Sequence, residues 1–199
     1  MNIRAVFFDL GGVILRTEYQ APRMRLAERL GMEYEDLERL VFASETSRSA
    51  SLGAISEDEH WDAVARRLKR PQEVAAIRDE FFAGDALDHA LIQFIRSLRP
   101  RHKTGLISNA WSGLRQYIIE QKFEDAFDRM VISAEVGVMK PKAEIYLLAL
   151  EQLGVRADEA LFVDDFIENV EGARALGMSA IHFTESQLAI KQVKQHLKN

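Results

Sequence analysis

Apolar runs that each stop at a polar residue, with helical stretches between them, constrain this chain more than any other feature. Residues 3–8, apolar except for Arg4, run into Asp9-Leu10-Gly11-Gly12. Residues 103–108 end at Ser108-Asn109, residues 130–133 precede Lys140, and residues 160–164 end in Asp164-Asp165. Residues 179–183 form a further run. Such runs suit strands buried on both faces, as in a parallel sheet. Helical patterns separate them. Leu91, Phe94, Ile95 and Leu98 precede Pro100, and Leu114, Tyr117 and Ile118 follow the second run. Pro141 opens a helix that Gly154 closes, another ends at Gly177, and the last starts at about residue 186. This alternation predicts an α/β, Rossmann-like core: a parallel sheet with helices on both faces and right-handed crossovers.

The alternation is interrupted after the first strand. Met24, Leu26, Ala27 and Leu30, then Leu37, Leu40 and Val41, recur at helical spacing, and Gly31 ends the first of these helices. Ser56 and Glu59 form a capping-box pattern ahead of a helix carrying Trp61, Val64, Ala65 and Leu68. Pro71 opens another, with Val74, Ile77, Phe81 and Phe82 as its apolar stripe. No β-rich stretch stands out in this region. The expected organisation is a core of residues 1–16 and 86–199, with a helical domain of residues 17–85 inserted after the first strand.

Composition removes whole classes of function. The chain has no cysteine, which excludes disulfides, thiolate metal sites and cysteine nucleophiles, so any metal is held by oxygen or imidazole. A net charge of −5 gives no reason to expect nucleic acid or an anionic membrane as partner. The basic cluster of Arg96, Arg99, Arg101, His102 and Lys103 falls at a helix C-terminus, where the dipole favours cations anyway. No run approaches the roughly 20 apolar residues of a membrane-spanning helix, and Asp9 interrupts the N-terminal run before a signal-peptide core is complete. A soluble, cytoplasmic protein is expected, with a homo-oligomer left open.

In a parallel sheet the strand ends share one edge, where open α/β sheets bind their ligands. Asp9, Ser108, Asn109, Lys140, Asp164 and Asp165 converge there. Together they describe a phosphate site with Mg²⁺, a hard cation that takes one or two carboxylates, waters and phosphate oxygens. Asp9 can ligate the metal with one oxygen and attack phosphorus with the other. Ser108 and Asn109 can hydrogen-bond phosphoryl oxygens, and Lys140 offsets the charge of both phosphate and Asp9. Asp164 and Asp165 are adjacent at a strand end, so at most one faces the metal directly. The glycines at 11 and 12 let the backbone turn closely enough for the Gly11 carbonyl to reach it.

Phe7-Phe8-Asp9-Leu10-Gly11-Gly12-Val13, Leu106-Ile107-Ser108-Asn109, Gly137-Val138-Met139-Lys140-Pro141 and Phe162-Val163-Asp164-Asp165, with Asn169 and Gly172 following, occur in that order. They resemble the four motifs of the haloacid dehalogenase-like hydrolase superfamily. The likeness is greatest to small sugar phosphatases and to the phosphatase half of soluble epoxide hydrolases. The resemblance implies a Mg²⁺-dependent phosphomonoester hydrolase that works through an aspartyl-phosphate at Asp9 on a small phosphorylated metabolite. It implies Asp9, Gly11 and Asp165 around the metal, Asp164 and Asn169 behind them, and the helical insert as a cap. One position departs from the pattern. Phosphatases of the family usually carry a second Asp, as general acid and base, where this chain has Gly11. General acid–base catalysis is commonly worth about 10²–10⁴ in rate, so substrates with a good leaving group, such as anomeric or acyl phosphates, lose least.

Two other readings compete. A non-catalytic phosphate-binding or regulatory protein would need the same residues without turnover. A 2-haloacid dehalogenase also lacks the second Asp, but such enzymes resemble one another in carrying Ser-Ser-Asn where this chain has its acidic pair. His60, His89, His102, His182 and His196 are scattered without ligand spacing and read as structural or surface residues; that reading holds for His60 too, although its place in the insert makes it the one to weigh as a proton source. Trp111, two residues past Asn109, either lines the site or seals the core.

Overall fold

β1 (Ala5–Phe8) is buried at every residue, as an apolar strand must be when helices cover both its faces. The computed structural model describes residues 2–198. After β1 the chain turns at Gly11 and Gly12 into a short strand, β2 (Leu15–Thr17). It then enters a series of helices: α1 (Ala21–Leu30), α2 (Tyr34–Phe42), α3 (Glu45–Ser51), α4 (Glu57–Arg67) and α5 (Val74–Phe82). Gly31, at φ 68°, closes α1. The Ser56–Glu59 capping box forms in full at the start of α4. Leu26, Leu37, Val41, Trp61, Val64, Ile77 and Phe81 from these helices bury one another in a cluster of their own.

β3 (Asp85–Leu87) returns the chain and pairs antiparallel with β2. This two-stranded ribbon straddles the edges of the region expected to be helical throughout. Three residues per strand, all half-buried, are too few to show a period of two. Within the stretch expected to be helical, α3 has no apolar stripe to mark it, being Glu-Thr-Ser-Arg-Ser-Ala-Ser; its start is fixed by Ser44, whose hydroxyl accepts from the Ser47 N–H. Pro71 begins a 3₁₀ turn and α5 follows it at Val74. Met24, assigned to an apolar stripe, is exposed.

The remaining elements alternate as expected: α6 (His89–Leu98), β4 (Lys103–Ser108), α7 (Leu114–Glu120), β5 (Arg129–Ile132), α8 (Ser133–Val136), α9 (Ala143–Leu153), β6 (Ala160–Asp164), α10 (Ile167–Ala175), β7 (Ser179–His182) and α11 (Ser186–His196). The five-stranded sheet runs β5-β4-β1-β6-β7, with every neighbouring pair parallel. Alternate residues of β1 serve two cores. Val6 and Phe8 pack with Leu91, Ile95 and Val193 on one face, whereas Ala5 and Phe7 pack with Ile145, Leu150 and Val170 on the other. No helix among the described residues is long and apolar enough to cross a membrane.

Candidate active site

Because β1 is the middle strand, the residue that follows it meets loops from both neighbours. The Asp9 amide N–H donates to the Val163 carbonyl at 2.9 Å, and its carboxylate Oδ1 accepts from the Leu10 N–H at 2.7 Å. Lys140 reaches across from the loop before α9. Its Nζ lies 2.9 Å from Asp9 Oδ1 and 2.6 Å from Asp164 Oδ2, and donates to the Ile107 carbonyl at 2.9 Å. An ammonium has three N–H donors, and this one, fully buried, has three acceptors around it.

The two members of the acidic pair differ. Asp164 is saturated: besides Lys140, it accepts from Asn169 Nδ2 at 3.0 and 3.1 Å and from the Phe166 N–H at 2.8 Å. Asp165 Oδ1 is buried with no hydrogen-bond partner among the described residues. Buried acceptors are nearly always satisfied, so an orphan of this kind points to a partner of another sort. Carboxylate oxygens of Asp9, Asp164 and Asp165 lie within 4.8 Å of one another. One ammonium among three carboxylates leaves the site short of positive charge. Burial pushes the Asp9 carboxyl up to about 7; Lys140 opposes the rise, and Asp164 and Asp165 add to it. Burial, then Asp164, lifts Asp165 to about 6. An oxygen-liganded divalent cation fits this donor set and relieves both shifts.

Ser108 is buried at the end of β4, on one side of Asp9. Asn109, expected on the phosphate, is engaged through its side chain with the backbone of Lys140. Its amide donates to the Lys140 carbonyl at 3.0 Å and accepts from the Lys140 N–H at 2.8 Å, which fixes the backbone that carries the lysine. Asn169 is buried on Asp164 rather than on the helix surface. Gly12 has φ +75°, and a Cβ there would fall 2.0 Å from Asp165 Oδ2, so the acidic side chain occupies the space a side chain at 12 would take. At Gly11, whose φ is not positive, a Cβ would meet nothing within 4 Å. The missing acid has left room rather than a filled gap. His60 is fully buried, with Nδ1 2.9 Å from Thr46 Oγ1 and its ring 4.6 Å from that of Trp111, and burial lowers its pKa. Trp111 packs against the apolar cluster of the helical insert.

Two contributors had no sequence signal strong enough to be read. The Ile107 carbonyl on Lys140 is backbone, which every residue offers. The Gly12–Asp165 contact joins two motifs more than 150 residues apart, and neither motif alone points to the other.

The haloacid dehalogenase-like hydrolase family model matches residues 3–177. The chain belongs to this family. Among the relatives of this haloacid dehalogenase-like hydrolase is a sesquiterpene phosphatase of Aspergillus oryzae, 27% identical over 98% of this chain and 96% of its own. A phosphorylated carbohydrates phosphatase of Thermotoga maritima is 29% identical over 90% of this chain and 84% of its own. Bifunctional epoxide hydrolase 2 of Rattus norvegicus is 26% identical over 98% of this chain, which spans 39% of that protein. The fold is shared with a family enzyme of Bacteroides thetaiotaomicron solved with magnesium and inorganic phosphate, at TM-score 0.78 and 20% identity over 93% of this chain and 96% of that one.

Proposed function

We propose that this hydrolase is a Mg²⁺-dependent phosphomonoester phosphatase that works through an aspartyl-phosphate on Asp9. The observation that carries the proposal is the buried Asp9–Lys140–Asp164 line with the orphaned Asp165 Oδ1 beside it. Asp9, the Gly11 carbonyl and Asp165 would hold Mg²⁺, and Asp164 and Asn169 stand behind them. When bound, the ion neutralises charge developing on the phosphoryl oxygens. A carboxylate oxygen of Asp9 attacks phosphorus and the ester P–O bond breaks, its electron pair staying on the leaving oxygen. Water then attacks the acyl phosphate, releasing inorganic phosphate and restoring the Asp9 carboxylate. Ser108 binds phosphoryl oxygens. Lys140 balances charge and opposes the rise that burial gives the Asp9 carboxyl, and Asn109 positions Lys140 through its backbone.

We read residues 17–85 as a cap over a core of residues 1–16 and 86–199. Support comes from contacts across the seam: the Glu57 N–H donates to Ser112 Oγ at 3.2 Å, and Glu57 Oε2 accepts from the Gly113 N–H at 3.1 Å. Trp111 reaches from the same loop into the insert's apolar cluster. The substrate is a small phosphorylated metabolite whose leaving group departs without an acid, a class that includes anomeric sugar phosphates. The cysteine-free chain suits the cytoplasm.

One observation favours a second reading, a non-catalytic phosphate-binding protein: no acid stands at position 11. Hydrolysis of p-nitrophenyl phosphate with and without Mg²⁺ separates the two. The phosphatase turns it over only with the metal and loses the activity in Asp9→Asn. Phosphate binding with no turnover of any phosphorylated compound would establish the second reading instead.

A further inference from the structure

Asp164 and Asp165 are adjacent, yet the protein holds them by different parts. Asp164 is fixed through its side chain, by Lys140, Asn169 and the Phe166 N–H. Asp165 Oδ1 has no such partner among the described residues. The aim of the Asp165 carboxylate is therefore set by its backbone, and the peptide that joins Asp165 to Phe166 is gripped at both ends. The Phe166 N–H donates to Asp164 Oδ1 at 2.8 Å, and the Asp165 carbonyl oxygen lies 2.8 Å from His182 Nε2. A carbonyl oxygen only accepts, so the imidazole donates through Nε2.

His182 reaches this carbonyl because of where the sheet stops. β7 is the outer strand beside β6, and in their parallel register Asp164 stands opposite His182. β6 ends at Asp164 and β7 at His182, and the Phe183 N–H donates to the Asp164 carbonyl at 2.8 Å. Asp165 lies one residue further on, where a side-chain donor takes over from the backbone ladder. Fixing that peptide fixes the direction in which the Asp165 side chain leaves it. The carboxylate then lies against Gly12, where a Cβ would fall 2.0 Å from Oδ2. By type and spacing alone, His182 is one of five scattered histidines, and its side chain is exposed. Its contact with the acidic loop gives it a task.

We infer that His182 is a positioning residue for the metal site: its Nε2–H holds the Asp165 peptide so that the carboxylate is presented to the cation beside Asp9. Partners of this kind, one step behind a metal ligand, orient the ligand and raise affinity without touching the ion. The inference rests on the reading of Asp165 as a Mg²⁺ ligand. It invokes the donated hydrogen bond and no change of charge on the ring.

The test is calorimetric titration of the whole protein with Mg²⁺, alongside urea unfolding of the metal-free proteins. His182→Ala removes the donor and should weaken Mg²⁺ binding about tenfold, the lower end of what a partner supporting a metal ligand is worth. His182→Gln carries an amide N–H at about the reach of Nε2 and should restore most of the affinity. His182→Asn stops short of the carbonyl and should behave as His182→Ala does. A merely structural role would lower the urea midpoint in His182→Ala and leave the Mg²⁺ dissociation constant at the wild-type value. That result would overturn the inference and leave Asp165 a ligand. Equal losses of affinity in the Ala and Gln variants would overturn it as well, since the donated bond would then not be the cause. If Asp165→Asn binds Mg²⁺ as tightly as wild type, or wild type binds none, the reading of Asp165 as a ligand fails and takes the inference with it.

Discussion

Gly11 and Gly12 are neighbours of the same type, yet alanine should have opposite effects at the two positions. At Gly12 the backbone has φ +75°, and an added Cβ falls 2.0 Å from Asp165 Oδ2 and 2.4 Å from its Cγ. An L-residue held in the left-handed region costs roughly 1–2 kcal/mol. Turning the Asp165 carboxylate off its rotamer costs about 0.5–1.5 kcal/mol more, so Gly12→Ala should lose about 1.5–3.5 kcal/mol of stability. At Gly11 the φ is not positive and a Cβ meets nothing within 4 Å. Gly11→Ala should therefore gain about 0.4–1 kcal/mol by restricting the unfolded chain. Urea unfolding of the metal-free proteins reads both effects as midpoints shifted in opposite directions at constant slope. Calorimetric titration with Mg²⁺ supplies the second half. Displacing Asp165 should weaken binding at least about tenfold, near 1.4 kcal/mol, and Gly11→Ala should leave it close to wild type. Equal shifts in the two variants, or undiminished Mg²⁺ affinity in Gly12→Ala, would refute the reasoning that Asp165 lies against Gly12 as a metal ligand.

Lys140→Met leaves the buried carboxylates of Asp9 and Asp164 without their counter-charge; it should cost about 3–5 kcal/mol in urea unfolding, and Asp164→Asn in the same chain should recover part of the loss. Asn169→Ala removes two bonds to Asp164 and should cost about 1–3 kcal/mol, measured in the same way. Asp9, at about 7, and Asp165, at about 6, both lie above the ordinary value of 3.8. Their contribution to stability is therefore present at acid pH and lost as pH rises through the folded values. The melting temperature of the metal-free protein should fall between about pH 4 and pH 7, and the fall should be smaller in Asp9→Asn. Added Mg²⁺ should stabilise more at the upper end, because it competes with protons for the same oxygens. Gly11→Asp fits the space available and should raise kcat most for poor leaving groups, by up to about 10²-fold. An equal gain across a series of leaving groups would show that the proton comes from elsewhere.

Much of the core was legible in the sequence because strands such as 160–164, buried at every residue, are apolar up to the polar residue that closes them. The elements that escaped are those whose stability comes from position. β2 and β3 are three residues each and exist because the chain leaves and re-enters the core at one place. α3 carries almost no apolar side chain and is held by its cap and by packing against α4. Within the site, residue types announced the chemistry, since an Asp, a Lys and an acidic pair at strand ends have few other uses together. Their division of labour was harder to read. Asn109 could serve a phosphate or a backbone equally well by type, and only the position of the Lys140 peptide relative to it selects the backbone. Trp111 was ambiguous for a similar reason: its ring packs against Phe42 and Trp61, fifty or more residues earlier in the chain.

Chemistry at Asp9 is tested most directly by acid quench during steady turnover of p-nitrophenyl phosphate with Mg²⁺, followed by peptide mass spectrometry. A phosphoryl group on the peptide that carries Asp9, present with Mg²⁺ and absent both without it and in Asp9→Asn, is the expected result. Turnover that persists in Asp9→Asn, or wild-type turnover with no phosphoryl group ever found on that peptide, would contradict covalent catalysis at the end of β1.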